Sequence, residues 1–125
     1  MKHSLIDQWA GEQGLQLDTM GGRQPVALTV DSVRVHLREL PEGNILAHAR
    51  VTDIPRDPSG RDNALSRALS VATGRMRSSP AVLAADADGA SLWLQMTVAG
   101  DSSPHDLGQA VEHLVNEVEN WRGWL

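Results

Sequence analysis

Apolar residues recur at helical spacing towards both ends of the chain and alternate at strand spacing between them. Ser4 to Gln13 reads as a helix. Ser4 with Asp7 imitates a capping box, Leu5 and Trp9 fall on neighbouring turns with Glu12 beside them, and Gly14 supplies a stop. Leu15 and Leu17 lead into a glycine-bearing turn at Met20–Gly22, after which Pro25 opens strand-like sequence. Val26–Val30 and Val33–Leu40 are β-branched and alternating, with Asp31–Ser32 as the turn between them. The stretch Leu40-Pro41-Glu42-Gly43-Asn44 fits a three-residue hairpin loop, in which Pro41 starts a type I turn and Gly43 takes the left-handed position. Leu40 then faces Asn44, Leu37 faces Ala47, Val35 faces Ala49 and Val33 faces Val51, which sends one face of the hairpin into a core. The other face carries Arg34 against Arg50, His36 against His48 and Arg38 against Leu46. Turn chemistry and face pattern select this register independently.

Ile54 to Gly60, with Pro55 and Pro58, reads as a loop. Asp62 or Asn63 caps a second helix whose Leu65, Ala68, Leu69 and Ala72 form an apolar stripe, and Gly74 ends it. Arg75 to Pro80 is a polar connector. A second hairpin follows, Ala81–Ala85 and Ser91–Val98, around Asp88-Gly89, a type I′ signal. Pairing Ala87 with Ala90 sets Leu83 beside Leu94 and Ala81 beside Met96, and sends Trp93 to the opposite face, against Ala84. The last helix is the clearest: Ser103 caps it, Pro104 suits its first turn and Asp106 completes a capping box. Its stripe is Leu107, Ala110, Val111, Leu114, Val115, Val118 and Trp121. The order α-β-β-β-α-β-β-α predicts one α+β domain over residues 1–125, a twisted antiparallel sheet with helices packed against it.

Composition narrows the function. The 125 residues suit one core, and four Trp with no Phe or Tyr leave Leu, Val and Ala to fill it. A formal charge of −5 works against a general nucleic-acid role. Cysteine is absent, which removes disulfides, thiolate metal sites and cysteine nucleophiles and suits a reducing cytoplasm. No secretion signal opens the sequence, and no apolar run approaches the roughly 20 residues that span a bilayer, so no membrane insertion is expected.

Catalytic and metal patterns are missing too. His36 and His48 face each other across two strands, but zinc sites usually need at least three protein ligands. No G-x-S-x-G elbow is present. Gly21-Gly22-Arg23 is too short for a phosphate loop, Gly60-Arg61-Asp62 lacks the P-loop pattern, and Asp86-Ala87-Asp88-Gly89 lacks the later glutamate of a calcium loop. Glu112 and Glu119 fall opposite the last helix's stripe and read as solvated. What remains is surface. Arg34, Arg38 and Arg50 cluster on one sheet face of an acidic protein, and Trp93 is a large aromatic on the minority face of its hairpin. Trp9 fits either the core or an exposed groove.

The helix Leu5-Ile6-Asp7-Gln8-Trp9-Ala10 with Gly14-Leu15-Gln16-Leu17, the hairpin Ala84-Ala85-Asp86 to Leu92-Trp93-Leu94, and the ending Leu114-Val115-Asn116-Glu117-Val118-Glu119-Asn120-Trp121 resemble the class I chaperones of bacterial type III secretion, the Tir-chaperone family. The resemblance covers Leu5 to Leu125. It implies a cytoplasmic, non-enzymatic homodimer without cofactor or metal, which binds the extended N-terminal segment of an effector protein and keeps it secretion-competent. It places the dimer contact at Leu65, Leu69, Ala72 and Trp93. It places effector docking at Leu5, Trp9, Leu28 and Val30, with Arg34, Arg38 and Arg50 as polar contacts. The stretch Leu69-Ser70-Val71-Ala72-Thr73-Gly74 departs from the family's Leu-Leu-x-Ala-Asn type ending of the middle helix. Two other readings stay open: an interaction or regulatory domain of this architecture outside secretion, and a small enzyme with a site at the dimer seam around His36 and His48.

Overall fold

The computed structural model describes residues 5–14, 18–20, 23–75 and 79–125, with 18–20 and 23–25 as backbone only. The Ser4 cap, Leu15, Leu17 and Gly21–Gly22 lie outside the described residues. Helix α1 spans Leu5–Gln13, and β1 (Asp18–Met20), β2 (Arg23–Val30), β3 (Val33–Glu39) and β4 (Ile45–Asp53) follow. Helix α2 is Pro58–Arg75, β5 is Val82–Ala85, β6 is Ser91–Val98, and α3 is Pro104–Trp124. The strands form one antiparallel sheet in the order β1-β2-β3-β4-β6-β5.

The central hairpin has the expected register: Val35 pairs with Ala49, His36 with His48, Leu37 with Ala47 and Arg38 with Leu46. Its inward positions Val33, Val35, Leu37, Ala47 and Ala49 are sealed from solvent, and Gly43 takes φ 95° at the turn, where the Leu40 carbonyl accepts its N–H at 2.8 Å. Helix α3 lies across β4, β6 and β3 and closes this face. Its stripe Leu107, Val111, Leu114, Val115, Val118 and Trp121 is buried, each residue adding about 1.5–3 kcal/mol of apolar burial. The capping box forms as expected: Ser103 Oγ accepts the Asp106 N–H at 3.1 Å, and the Ser103 N–H donates to Asp106 Oδ2 at 3.4 Å. In the last turn Arg122 donates to the carbonyls of Val51 and Arg50, both at 3.0 Å, which pins the helix end over β4. Helix α1 packs on α3 through Ile6, Trp9 and Ala10.

Four expectations need correction. The chain pairs a sixth strand, β1, along the edge of β2, with Asp18 opposite Ala27 and Thr19 opposite Val26. Three residues are too few for an alternation to show in sequence, and pairing to a neighbour defines the strand. Helix α2 begins at Pro58, inside the expected loop. The Asp57 side chain accepts the Gly60 N–H at 2.7 Å, so Asp57 is the cap and Pro58 the first helical residue. Gly74 does not end that helix, which runs on to Arg75. Finally, Asp88-Gly89 is not a type I′ turn. The Gly89 N–H bonds the Asp86 carbonyl at 2.9 Å, and among the described residues only Asp31 and Ser32 are non-glycines with positive φ. The loop is a type I turn over Ala87 and Asp88 with Gly89 left-handed at φ 66°. The strand register survives because the longer loop ends in the same pairing, Leu83 with Leu94 and Ala84 with Trp93.

The true I′ turn is Asp31–Ser32, with φ of 49° and 69°. Left-handed backbone costs a side-chain-bearing residue about 1–2 kcal/mol. The double variant Asp31→Asn, Ser32→Gly therefore gains about 1 kcal/mol of stability, after the entropy glycine loses on folding. A urea unfolding midpoint that does not rise refutes this.

Candidate functional site

Two surfaces carry the candidate residues. The first is a groove of about 450 Å³ between α1, the start of α3 and the β2–β3 turn. It exists because Gly108 stands where the α1 indole crosses α3. A Cβ there would lie 2.8 Å from Trp9 Nε1, so only glycine lets the ring settle against the helix. Trp9 is buried, yet it lines this groove together with half-buried Val30, so it belongs to the core and to the groove at once. Leu5 is half-buried against the core. Leu28 is 3% exposed on the inward face of the sheet, paired opposite Val35, and packs in the core. The sequence reading missed Gly108 and Pro104 as groove residues. A glycine interrupting an otherwise strong helical stripe was the available signal.

The second surface is the sheet face turned away from α3. His36 and His48 stack with centroids 5.2 Å apart, and Trp93 tilts over both, at 5.6 and 5.3 Å. Arg34, Arg38 and Arg50 are exposed around them, Arg34 opposite Thr29 and Arg50 opposite Trp93. Arg50 is bridged to Asp53 at 2.7 Å, a nearby carboxylate that offsets part of the cationic cluster. Burial is the main cause that lowers the His36 pKa, with Arg34 adding to it. Burial likewise pushes His48 down to about 4, helped by His36 and then Arg38. Both rings are therefore neutral at ordinary pH and pack as flat, weakly polar surfaces.

At the β5–β6 turn the Asp86 carboxylate accepts the N–H groups of Ala90 (2.8 Å) and Ser91 (3.1 Å). The Ser91 N–H is the main cause holding Asp86 below the usual carboxylate range. The nearby Trp93 indole N–H adds a smaller depression without meeting hydrogen-bond geometry, so it stays a buried donor without an acceptor. Along α2, Ala68 is buried, Leu65 and Ala72 are half-buried against the core, and Leu69 is 69% exposed. Val82 on the outer strand β5 is also exposed, at 59%.

Among the described residues no three His, Asp or Glu side chains gather as a metal site. Ser79 Oγ lies 3.0 Å from His113 Nε2, but the same hydroxyl accepts the Ala81 N–H at 3.2 Å, which makes the contact a staple between the connector and α3. Glu112 and Glu119 are solvated as expected, whereas Glu117 on the same helix is buried and paired with Arg75, a pairing the periodicity did not reveal. No helix among the described residues is long and apolar enough to cross a membrane.

A six-stranded sheet with α3 across one face, α1 packed on α3 and α2 joining the two hairpins defines the class, and the sequence profile of the Tir chaperone protein (CesT) family matches residues 4–122. The chain belongs to that family. Its fold superposes on a chain of the ExoU–SpcU heterodimer from the type III secretion system of Pseudomonas aeruginosa, with TM-score 0.71, 21% identity and coverage of 96% of this chain and 97% of that one. It matches the structure of the Yersinia pestis type III secretion chaperone SycH with a fragment of YscM2 at TM-score 0.68 and 21% identity, covering 94% and 96%. The HopA1–SchA chaperone–effector complex gives TM-score 0.72 at 14% identity, covering 95% and 91%. No curated protein sequence matches the chain significantly.

Proposed function

We propose that the protein is a type III secretion chaperone that works as a homodimer in the bacterial cytoplasm, without chemistry of its own, and holds the N-terminal segment of an effector extended. The observation that carries this reading is the family match over nearly the whole domain. The HopA1–SchA chaperone–effector complex and the complex of the chaperone SycH with a YscM2 fragment each contain a chain with this fold. The physics suits the role. An extended segment docks apolar side chains in pockets and adds backbone hydrogen bonds, and the ordering entropy it loses demands a long contact path. The Trp9–Val30 groove and the Arg34–Arg38–Arg50 face supply apolar and cationic stretches of such a path.

Self-association is supported by Leu69 and Val82, two large apolar side chains left exposed at 69% and 59%, which a partner subunit would cover. Leu65, Leu69, Ala72 and Trp93 form the proposed seam. Leu69→Asp is expected to weaken the dimer at least about ten-fold in sedimentation equilibrium, because it sets a charge in an apolar contact. An unchanged dimer removes Leu69 from the seam. The function itself is tested by capture on the tagged protein from its native host, followed by limited proteolysis. Recovery of a polypeptide whose N-terminal segment is protected on the dimer supports it. A monomer with no polypeptide partner overturns it.

A further inference from the structure

The groove beside Trp9 has a charge character opposite to that of the sheet face. Its floor is apolar, formed by Trp9, Val30 and Val111, while exposed Asp31 and Glu112 stand on its rim. Among the described residues neither lysine nor arginine lines it. The start of α3 also borders the groove, and an open helix N-terminus favours anions. Here that tendency is weakened. Pro104 has no N–H to offer, the Asp106 N–H is taken by Ser103 Oγ, and the Asp106 carboxylate brings a further negative charge to the same end. An apolar floor beneath a carboxylate rim suits one kind of occupant: an apolar side chain with a cation directly beside it.

We propose that this groove selects a point in the bound segment where a Leu-like residue adjoins Lys or Arg. The apolar side chain settles on the Trp9 indole and the cation meets Asp31 and Glu112. The inference rests on the effector-binding reading and specifies its chemistry at one place. Acidic residues of the same segment are turned away from the groove, and the face bearing Arg34 and Arg38 is the surface that suits them. Each exposed ion pair is weak, so the discrimination comes from sign: a carboxylate in the cation's place meets two like charges beside a partly dehydrated floor.

The test uses the isotope-labelled full chain and two short Gly/Ser-based peptides, one containing Leu-Arg-Leu-Arg and the other Leu-Glu-Leu-Glu, followed by NMR. The cationic peptide is expected to shift the Trp9 indole and Gly108 amide signals and to bind roughly five-fold tighter than the acidic one. The preference should collapse in the double variant Asp31→Asn, Glu112→Gln. Both positions are exposed, and asparagine suits the left-handed backbone at position 31, so the fold is retained. Equal affinity, preference for the acidic peptide, no shift at Trp9, or a preference that survives in the double variant each overturn the inference. Capture from the host is read separately. An effector recovered by a protein whose groove shows no preference sinks this inference alone, whereas a cation-selective groove in a protein that captures nothing sinks the effector reading.

Discussion

Glu117→Ala is expected to lower the unfolding free energy by about 2–3 kcal/mol, more than any other single change of a charged residue here. Glu117 is 4% exposed on α3 and pairs with Arg75 at the end of α2, whose guanidinium also sits 5.2 Å from the centre of the Trp124 ring. Removing the carboxylate takes the charge partner from a guanidinium that is only one-third exposed. A fully buried pair broken this way costs about 3–5 kcal/mol, but the Arg75 side chain is one-third exposed and rehydrates in part, which sets the lower figure. The double variant Arg75→Leu, Glu117→Leu should recover most of the loss, because apolar replacements of both partners leave no charge stranded. Guanidinium unfolding of Arg75→Leu, Glu117→Leu and the double variant closes the cycle, with Glu117→Ala measured beside them. A double variant as unstable as Glu117→Ala would show that the pair is not the source. Because the pair ties α2 to α3, its loss should also weaken the dimer proposed to form through the α2 face.

Acid should destabilise the protein between pH 6.5 and about 4, with His48 as the main cause and His36 acting in the same direction. The sign follows from linkage. The folded pKa lies below the unfolded one, so the unfolded chain takes up protons that the native stack refuses. Stability is complete above about pH 6.5 and falls as pH drops towards the folded value. A shift from 6.5 to about 4 corresponds to roughly 3 kcal/mol at about 1.4 kcal/mol per unit. The ring is half-buried, so solvent screening reduces this to about 1–2 kcal/mol. Thermal unfolding across this range should show the loss, and His36→Gln, His48→Gln should flatten it. A wild-type midpoint that is level from pH 6.5 to 4 refutes the stacked, neutral pair.

Much of the candidate site was legible because turns and alternation are local. Pro41 and Gly43 fixed one hairpin, and that register set His36 against His48, whereas Trp93 reaches their face only through the pairing of β4 with β6. The cationic patch of Arg34, Arg38 and Arg50 follows from the same parity. Leu28 shows the limit of such local signals. Alternation tells which residues share a face, not which face a helix will cover, and α3 covers the one that holds Leu28. Asp57 as the α2 cap was hidden because two prolines nearby signal a loop, although Pro58 is well suited to a first helical turn.

By itself the sequence determined the order of the elements apart from β1, the pairing of the β3–β4 and β5–β6 hairpins, the capping of α3 and its buried stripe. Each of these depends on residues a few positions apart, or on periodicity within one element. The tertiary structure decided the rest: the sixth strand, the Arg75–Glu117 pair, the Trp9–Gly108 crossing and the groove beside it. Those contacts join residues far apart in the chain, and their energies exist only once two elements have been packed against each other. Glu119 falls opposite the buried stripe of α3 and stays exposed, whereas Glu117 flanks the stripe, and the position of α2 is what brings Arg75 to it.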